Sequence, residues 1–213
     1  SLLVITLSGL ENAIKAATKR GDRVNVIIYA DDFIITGRTK ELLEVQIKPV
    51  VENFLNERGL KLSQEKTKIT NIYEGFDFLG VNTRKYNNGK LIQKPAKESI
   101  KRFMQDLRDT VKQHQAAKTE DLIQLLNSKI RGWANYYRHD CAKRTFGYIS
   151  NQLFPILCRW AKKRHQRKGV WWIMKKYFHT RENRRWQFTT EIKKGRQEIT
   201  HLDLVEISHT PIR

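Results

Sequence analysis

The chain has 213 residues, 39% of them hydrophobic, which suffices for one large or two small domains with a buried core. Its net charge of +19, from 41 Lys and Arg against 22 Asp and Glu, exceeds what solubility requires and implies a polyanionic partner: nucleic acid first, an anionic membrane surface second. No apolar run reaches membrane-spanning length, the six histidines show no HExxH or zinc-finger spacing, and Cys141 and Cys158 fit no metal pattern and read as reduced, cytosolic thiols. The first residues, SLLVITLSGL, lack the basic leader and cleavage site of a signal peptide. They also lack a Met and enter in mid-pattern, so the chain is expected to be a fragment.

In chain order, residues 7–18 predict a helix with Leu7, Leu10, Ile14 and Ala17 on one face. After a turn at 21–23, the β-branched runs 24–29 and 33–36 predict two strands of a tight hairpin, with Ala30, Asp31 and Asp32 at the tip. Thr39 is a fitting N-cap for a helix over 40–58, in which Pro49 should produce a kink. Gly59 suits the left-handed position after that helix, with Leu60 packing back. Residues 60–72 read as strand, turn and strand. Residues 75–92 read as a hairpin turning at Asn88–Gly89.

Pro95 marks a break, after which helical periodicity dominates. Ile100, Phe103, Met104, Leu107 and Val111 keep 3.6-residue spacing, and further helices fit 120–139, 146–165 and 170–178. Residues 179–213 predict short strands and loops. The expected fold class is α+β: an antiparallel sheet with helices, followed by an α-helical domain.

The candidate chemistry centres on VNVIIYADDFIITG, residues 24–37. Adjacent carboxylates at a hairpin tip repel each other unless a cation lies beside them, and a divalent ion resolves that repulsion. Mg²⁺ takes one or two protein carboxylates plus substrate phosphates, as in two-metal phosphoryl or nucleotidyl transfer. A solvated Asp-Asp turn is the bland alternative.

The string YADD between apolar strands resembles the Tyr-x-Asp-Asp box of reverse transcriptases. FLNERGLKLSQEKTKI (54–69) and GFDFLG (75–80) resemble the next two blocks of group II intron enzymes, and ITLSGLE (5–11) resembles the end of the block before the hairpin. The resemblance implies that Asp31 is a Mg²⁺ ligand of the polymerase centre, with Asp32 beside it in a supporting role. It implies that Tyr29 and Ala30 lie near the primer end or the incoming nucleotide. Lys66 would approach the triphosphate, where it neutralises charge or protonates the leaving pyrophosphate; its bland reading is a solvated lysine after a turn. Gly80 would admit the primer backbone, while Phe76, Phe78 and Leu79 read as packing. The family's further catalytic aspartate belongs on an earlier strand, and the only acids before Asp31 are Glu11 and Asp22, in helix and turn. The chain alone is therefore expected not to polymerise DNA.

Charge is uneven along the sequence: residues 1–100 are net +4, residues 101–213 net +15. All five tryptophans lie after residue 130. Cations interleaved with aromatics suit RNA, because cations neutralise phosphate and planar rings stack on unpaired bases. Tryptophan at helical spacing equally suits a core. RWAKKRHQRK (159–168) has six cations in ten residues, more than a protein interior can satisfy. RGWANYYRH (131–139) and LCRWAKKRHQRKGVWWIMKKYF (157–178) resemble domain X, the thumb-like maturase domain of group II intron proteins.

That resemblance implies intron RNA as partner, with Arg131, Arg138, Arg159, Lys162, Lys163, Arg164, Arg167 and Lys168 as candidate contacts. TPI (210–212) resembles part of the DNA-binding region that often follows domain X. The expected division is the C-terminal part of a palm at 1–94, a helical thumb/maturase segment at 95–178 and the start of a basic DNA-binding region from 179 to 213. The expected function is RNA-directed DNA polymerisation and splicing support, with a DNA target or primer and dNTPs as partners of the full-length protein, no membrane and a cytoplasmic location. The rivals are a non-enzymatic RNA-binding splicing factor and a degenerate remnant.

Overall fold

The computed structural model describes residues 7–181, 184–194 and 198–212. The chain forms two compact units, Ser1–Phe78 and Leu79–Arg213.

In the first unit, helix α1 (Leu10–Ala16) is shorter than the predicted span because Gly9 precedes it at φ 92°, a left-handed angle through which a helix does not run. Leu7 sits in the turn before it and is still buried beside Leu10 and Ile14. Strands β1 (Asn25–Tyr29) and β2 (Asp32–Thr36) form the predicted antiparallel hairpin, pairing Tyr29 with Asp32. The tip is tighter than predicted. Asp32 already belongs to β2, so two residues make the turn, and the left-handed angle of such a loop falls on Ala30 (φ 53°) rather than on an aspartate.

The next helix, α2, starts at Lys40 and runs as a π-helical stretch, Leu42–Ile47, into an α-helical one, Lys48–Asn56. Thr39 caps it, its Oγ1 accepting from the Leu42 N–H at 3.2 Å. Pro49 cannot donate to the carbonyl four residues back, and the wider turns ahead of it, closed by the Lys48 N–H on the Leu43 carbonyl, take up the mismatch expected to appear as a kink. At the far end Gly59 (φ 70°) completes a Schellman motif: Leu60 N–H donates to the Leu55 carbonyl and Gly59 N–H to that of Asn56. The strands predicted within 60–72 do not form. Only the turn at 64–66 does, because a strand needs a ladder partner and β1 and β2 pair with each other alone. Strand β3 (Phe76–Phe78) ends this unit. Its core is Leu7, Leu10 and Ile14 against Ile47, Val51, Phe54 and Leu55, with Val26, Phe33 and Ile35 of the hairpin packed on it.

The second unit opens with hairpin β4 (Val81–Lys85) and β5 (Leu91–Pro95), turning at Asn88–Gly89 as predicted. Four helices follow within a few residues of their predicted spans: α3 (Lys97–Gln113), α4 (Thr119–Tyr137), α5 (Lys143–Arg164) and α6 (Val170–Tyr177). Their apolar faces meet in one core, where Leu107, Leu126, Ile130, Phe146 and Trp160 are almost wholly buried. Each such side chain contributes about 1.5–3 kcal/mol relative to exposure. The C-terminal segment is more regular than predicted: β6 (Phe178–Arg181), β7 (Arg184–Lys194) and β8 (Glu198–Asp203) form an antiparallel sheet. Phe178, Phe188, Leu204 and Ile207 join the helical core. The buried Asn127 of α4 clips this segment down, donating to the Asp203 carbonyl (2.9 Å) and accepting from the Val205 N–H (2.6 Å). Among the described residues no helix is long and apolar enough to cross a membrane.

Candidate catalytic hairpin and basic surface

Strand alternation sorts the hairpin by face. Val26, Ile28, Phe33 and Ile35 share one face, of which Val26, Phe33 and Ile35 pack on the core with the helices; Ile27, Ile34, Tyr29 and Asp32 share the other. Tyr29 is 63% exposed on that open face, directly opposite Asp32, and Asp31 is exposed in the turn itself. The carboxylates therefore stand in solvent at the end of a stiff two-stranded support, and no burial cost falls on them. Lys66 is exposed in the 64–66 turn, and no hydrogen bond or ion pair joins it to either aspartate among the described residues. Nor does any group of three His, Cys, Asp or Glu able to hold a metal occur among them.

Gly80 lies in the turn between β3 and β4. It and Leu79 both have positive φ (79° and 49°), forming the turn before β4. A Cβ on Gly80 would lie 2.7 Å from the Tyr137 hydroxyl. That hydroxyl donates to the Gly80 carbonyl (3.0 Å) and lies 2.6 Å from Ser99 Oγ, while the neighbouring Tyr136 hydroxyl donates to the Leu79 carbonyl (2.7 Å). Two consecutive tyrosines of α4 thus grip two consecutive residues of the turn. Burial pushes the Tyr137 phenol pKa up, so the hydroxyl stays protonated. Sequence reading missed this pair, although Tyr-Tyr inside a helix with one member buried is the available signal.

The predicted RNA contacts separate by environment. Arg159, Lys162 and Lys163 are exposed on the last turns of α5, where the helix dipole favours cations, and Arg167 and Lys168 are exposed just beyond. Arg164 differs. It is half-buried, donates to the Gln115 carbonyl (3.2 Å) and to that of Ala117, and lies 4.8 Å from the Trp160 ring. Its guanidinium holds the loop between α3 and α4. On α4, Arg131 is exposed; Arg138, just past its end, is half-buried with a buried Nε that has no hydrogen-bond partner.

The tryptophans divide too. Trp160 is 1% exposed and donates from Nε1 to the His114 carbonyl (3.1 Å), and Trp133 stacks on Phe103 at 4.8 Å. Both are core. Trp171, by contrast, is 81% exposed at the start of α6, and the adjacent Trp172 is partly exposed with Lys176 Nζ 4.9 Å and Lys168 Nζ 5.5 Å from its ring. His165 packs edge-on against Trp172 and shares a 2.8 Å hydrogen bond with the Tyr177 hydroxyl. Burial, then the charges of Lys176, Arg164 and Lys168, hold its pKa below the ordinary 6.5.

Residues 1–83 match the family model for reverse transcriptase (RNA-dependent DNA polymerase), and residues 100–178 match that for the group II intron, maturase-specific domain. The chain belongs to the group II intron reverse transcriptase/maturase family. No curated protein matches it by sequence. In this family context the hairpin of the first unit is part of a polymerase palm, and the helices of the second are the thumb-like maturase domain. Two further basic residues of the maturase domain, Arg108 and Lys112 on α3, went unnoticed in the sequence because α3 mixes charges of both signs. They line a pocket of about 230 Å³ together with Arg159 and Lys163 of α5.

Proposed function

We propose that this reverse transcriptase/maturase chain binds group II intron RNA through the basic and aromatic surface of its second unit, supporting splicing and mobility. Its YADD hairpin contributes to a Mg²⁺-dependent centre for RNA-directed DNA polymerisation. The observation that carries the RNA reading is the run of exposed cations Arg159, Lys162, Lys163, Arg167 and Lys168, followed in the sequence by the exposed Trp171. Exposed cations and an uncovered aromatic plane match phosphate and unpaired base. The functional division follows the motifs: a palm segment at 1–94, a maturase segment at 95–178 and DNA contacts from 179 to 213, acting in the cytoplasm.

The donor set suits Mg²⁺ in kind, since Asp31 and Asp32 offer hard, exposed oxygens at a rigid tip. When bound, the ion supplies activation of an attacking oxygen and stabilisation of a leaving one. Tyr29 and Ala30 border the primer end and the incoming dNTP, Lys66 balances triphosphate charge, and Gly80 lies near the primer strand. With a carboxylate pair and no third acid grouped with it among the described residues, a polypeptide of these 213 residues is expected not to extend a primer.

The test is intron RNA binding across a salt series, with splicing as a second readout, on the chain and on Asp31→Asn. Tight binding, steep in salt and unchanged by Asp31→Asn, supports the reading. Loss of binding in Asp31→Asn makes that residue structural, and metal-dependent primer extension by the chain alone refutes the expectation that these 213 residues do not polymerise DNA. The second reading, a splicing factor with no enzymatic role, is favoured by the exposed cations of the second unit, whose RNA binding requires neither aspartate. It predicts that splicing support survives the loss of both aspartates.

A further inference from the structure

The α3–α5 groove carries an arrangement that the domain's overall basicity does not require. Arg108 and Lys112 are one helical turn apart on α3, and Arg159 and Lys163 are one turn apart on α5. All four line the same pocket, over Val111, Ile156 and Trp160. Like charges at i, i+4 repel each other, and here two such pairs face one another across a groove. None of the four makes a salt bridge among the described residues. The nearby acid Asp106 is taken by Lys129 at 2.7 Å, and Asp109 accepts from Gln105. The walls are fixed from within: Trp160 Nε1 donates to the His114 carbonyl, Gln115 Nε2 donates back to the Trp160 carbonyl at 2.9 Å, and Arg164 ties down the adjoining loop.

We infer that this groove holds the phosphate backbone of one unpaired RNA strand, with Arg108 and Lys112 on one bank and Arg159 and Lys163 on the other. A pocket of about 230 Å³ takes the backbone of one strand and not both strands of a duplex. The floor is mostly apolar, and its one amide, Gln115, is turned to the Trp160 carbonyl through Nε2, so the four cations make backbone the main feature recognised there. The inference rests on the RNA-binding reading above and adds a second helix to its surface. Four phosphate-directed cations in a fixed frame give a local, countable contribution to the salt dependence.

The experiment uses the 213-residue chain and a fluorescent single-stranded RNA, with single-stranded DNA of the same sequence and an RNA hairpin duplex as comparison probes. Arg108→Ala/Lys112→Ala is compared with Lys101→Ala/Arg102→Ala, which removes equal charge from α3 outside the pocket, and with Arg108→Lys/Lys112→Arg, which keeps the charge and guards against a folding artefact. At about 0.7 per phosphate for single strands, losing two contacts makes the slope of log K on log salt shallower by about 1.4 and weakens binding roughly tenfold at physiological salt. The expected result is that loss for the first variant, a smaller one for the second and retention of the slope by the third. An unchanged slope, or equal losses from both alanine variants, overturns the groove while leaving RNA binding elsewhere on the domain intact. Equal or tighter binding of the duplex overturns its assignment to an unpaired strand, and tighter binding of the DNA strand overturns its assignment to RNA. Failure of the unmodified chain to bind any RNA overturns the underlying reading as well.

Discussion

The grip of Tyr136 and Tyr137 on the Leu79–Gly80 turn makes a prediction that a double-mutant cycle resolves. Tyr137→Phe keeps the buried ring and removes the hydroxyl, with its bonds to Gly80 and Ser99. At about 1 kcal/mol net per bond this costs roughly 2 kcal/mol. Gly80→Ala places a methyl at φ 79°, costing about 1 kcal/mol of backbone strain, and sets it 2.7 Å from the same hydroxyl. That hydroxyl must move, losing the same bonds, so the single change costs about 3 kcal/mol in all. In the Phe background the obstacle is gone, since the next atoms the methyl meets belong to Ser99 at 3.5 and 3.7 Å. The double variant is therefore expected to lose about 3 kcal/mol rather than the additive 5, a coupling of about 2 kcal/mol. Urea unfolding of the four proteins at constant m-value measures it. Additive losses would refute the claim that this hydroxyl occupies the space that requires glycine.

Trp171→Ala is expected to weaken unpaired RNA by about 1–3 kcal/mol with no change in thermal stability, because the ring is exposed and supports no core. Titration with a single-stranded oligonucleotide and a melting curve check both halves. His165 has a folded pKa held below its ordinary 6.5, so its contribution to stability is full above that value and is lost as pH falls below it, the unfolded chain taking up the proton more readily. His165→Gln should flatten the acid side of the stability profile, measured by unfolding between pH 5 and 7. Cys141 is exposed whereas burial pushes the Cys158 thiol pKa up, so a disulfide reagent should label Cys141 first and Cys158 only slowly in the folded chain. Equal rates would contradict that placement.

The parts of the fold legible in the sequence were those written locally. The four helices of the second unit declared themselves because Phe103, Leu107 and Val111, or Phe146, Ile149 and Leu153, repeat at 3.6 residues, and the Gly59 and Asn88–Gly89 turns carry their own backbone requirements. What was not legible depended on partners distant in sequence. Residues 60–72 have strand composition and no strand to pair with. Trp160 and Trp171 both lie in helical segments, and only the assembled bundle decides that one is core and the other uncovered. Arg164 stands in the same basic run as Lys163, yet one helical step separates a structural clamp from a groove-lining cation. The YADD tip was legible as a carboxylate pair. That Ala30, not an aspartate, carries the strained angle followed from a register that composition does not encode.

The C-terminal sheet has a practical bearing on how the protein can be handled. The segment matching the maturase-specific domain stops at residue 178, but Phe188, Leu204 and Ile207 fill the hydrophobic interior that segment builds, and Asn127 spends both ends of its amide on the backbone of residues 203 and 205. A gene cut at the family boundary would deliver a bundle with one side of its interior open to water and a buried amide stripped of partners, a recipe for inclusion bodies. Expression of the maturase portion on its own should extend through residue 212, and a reporter or affinity tag belongs after that point.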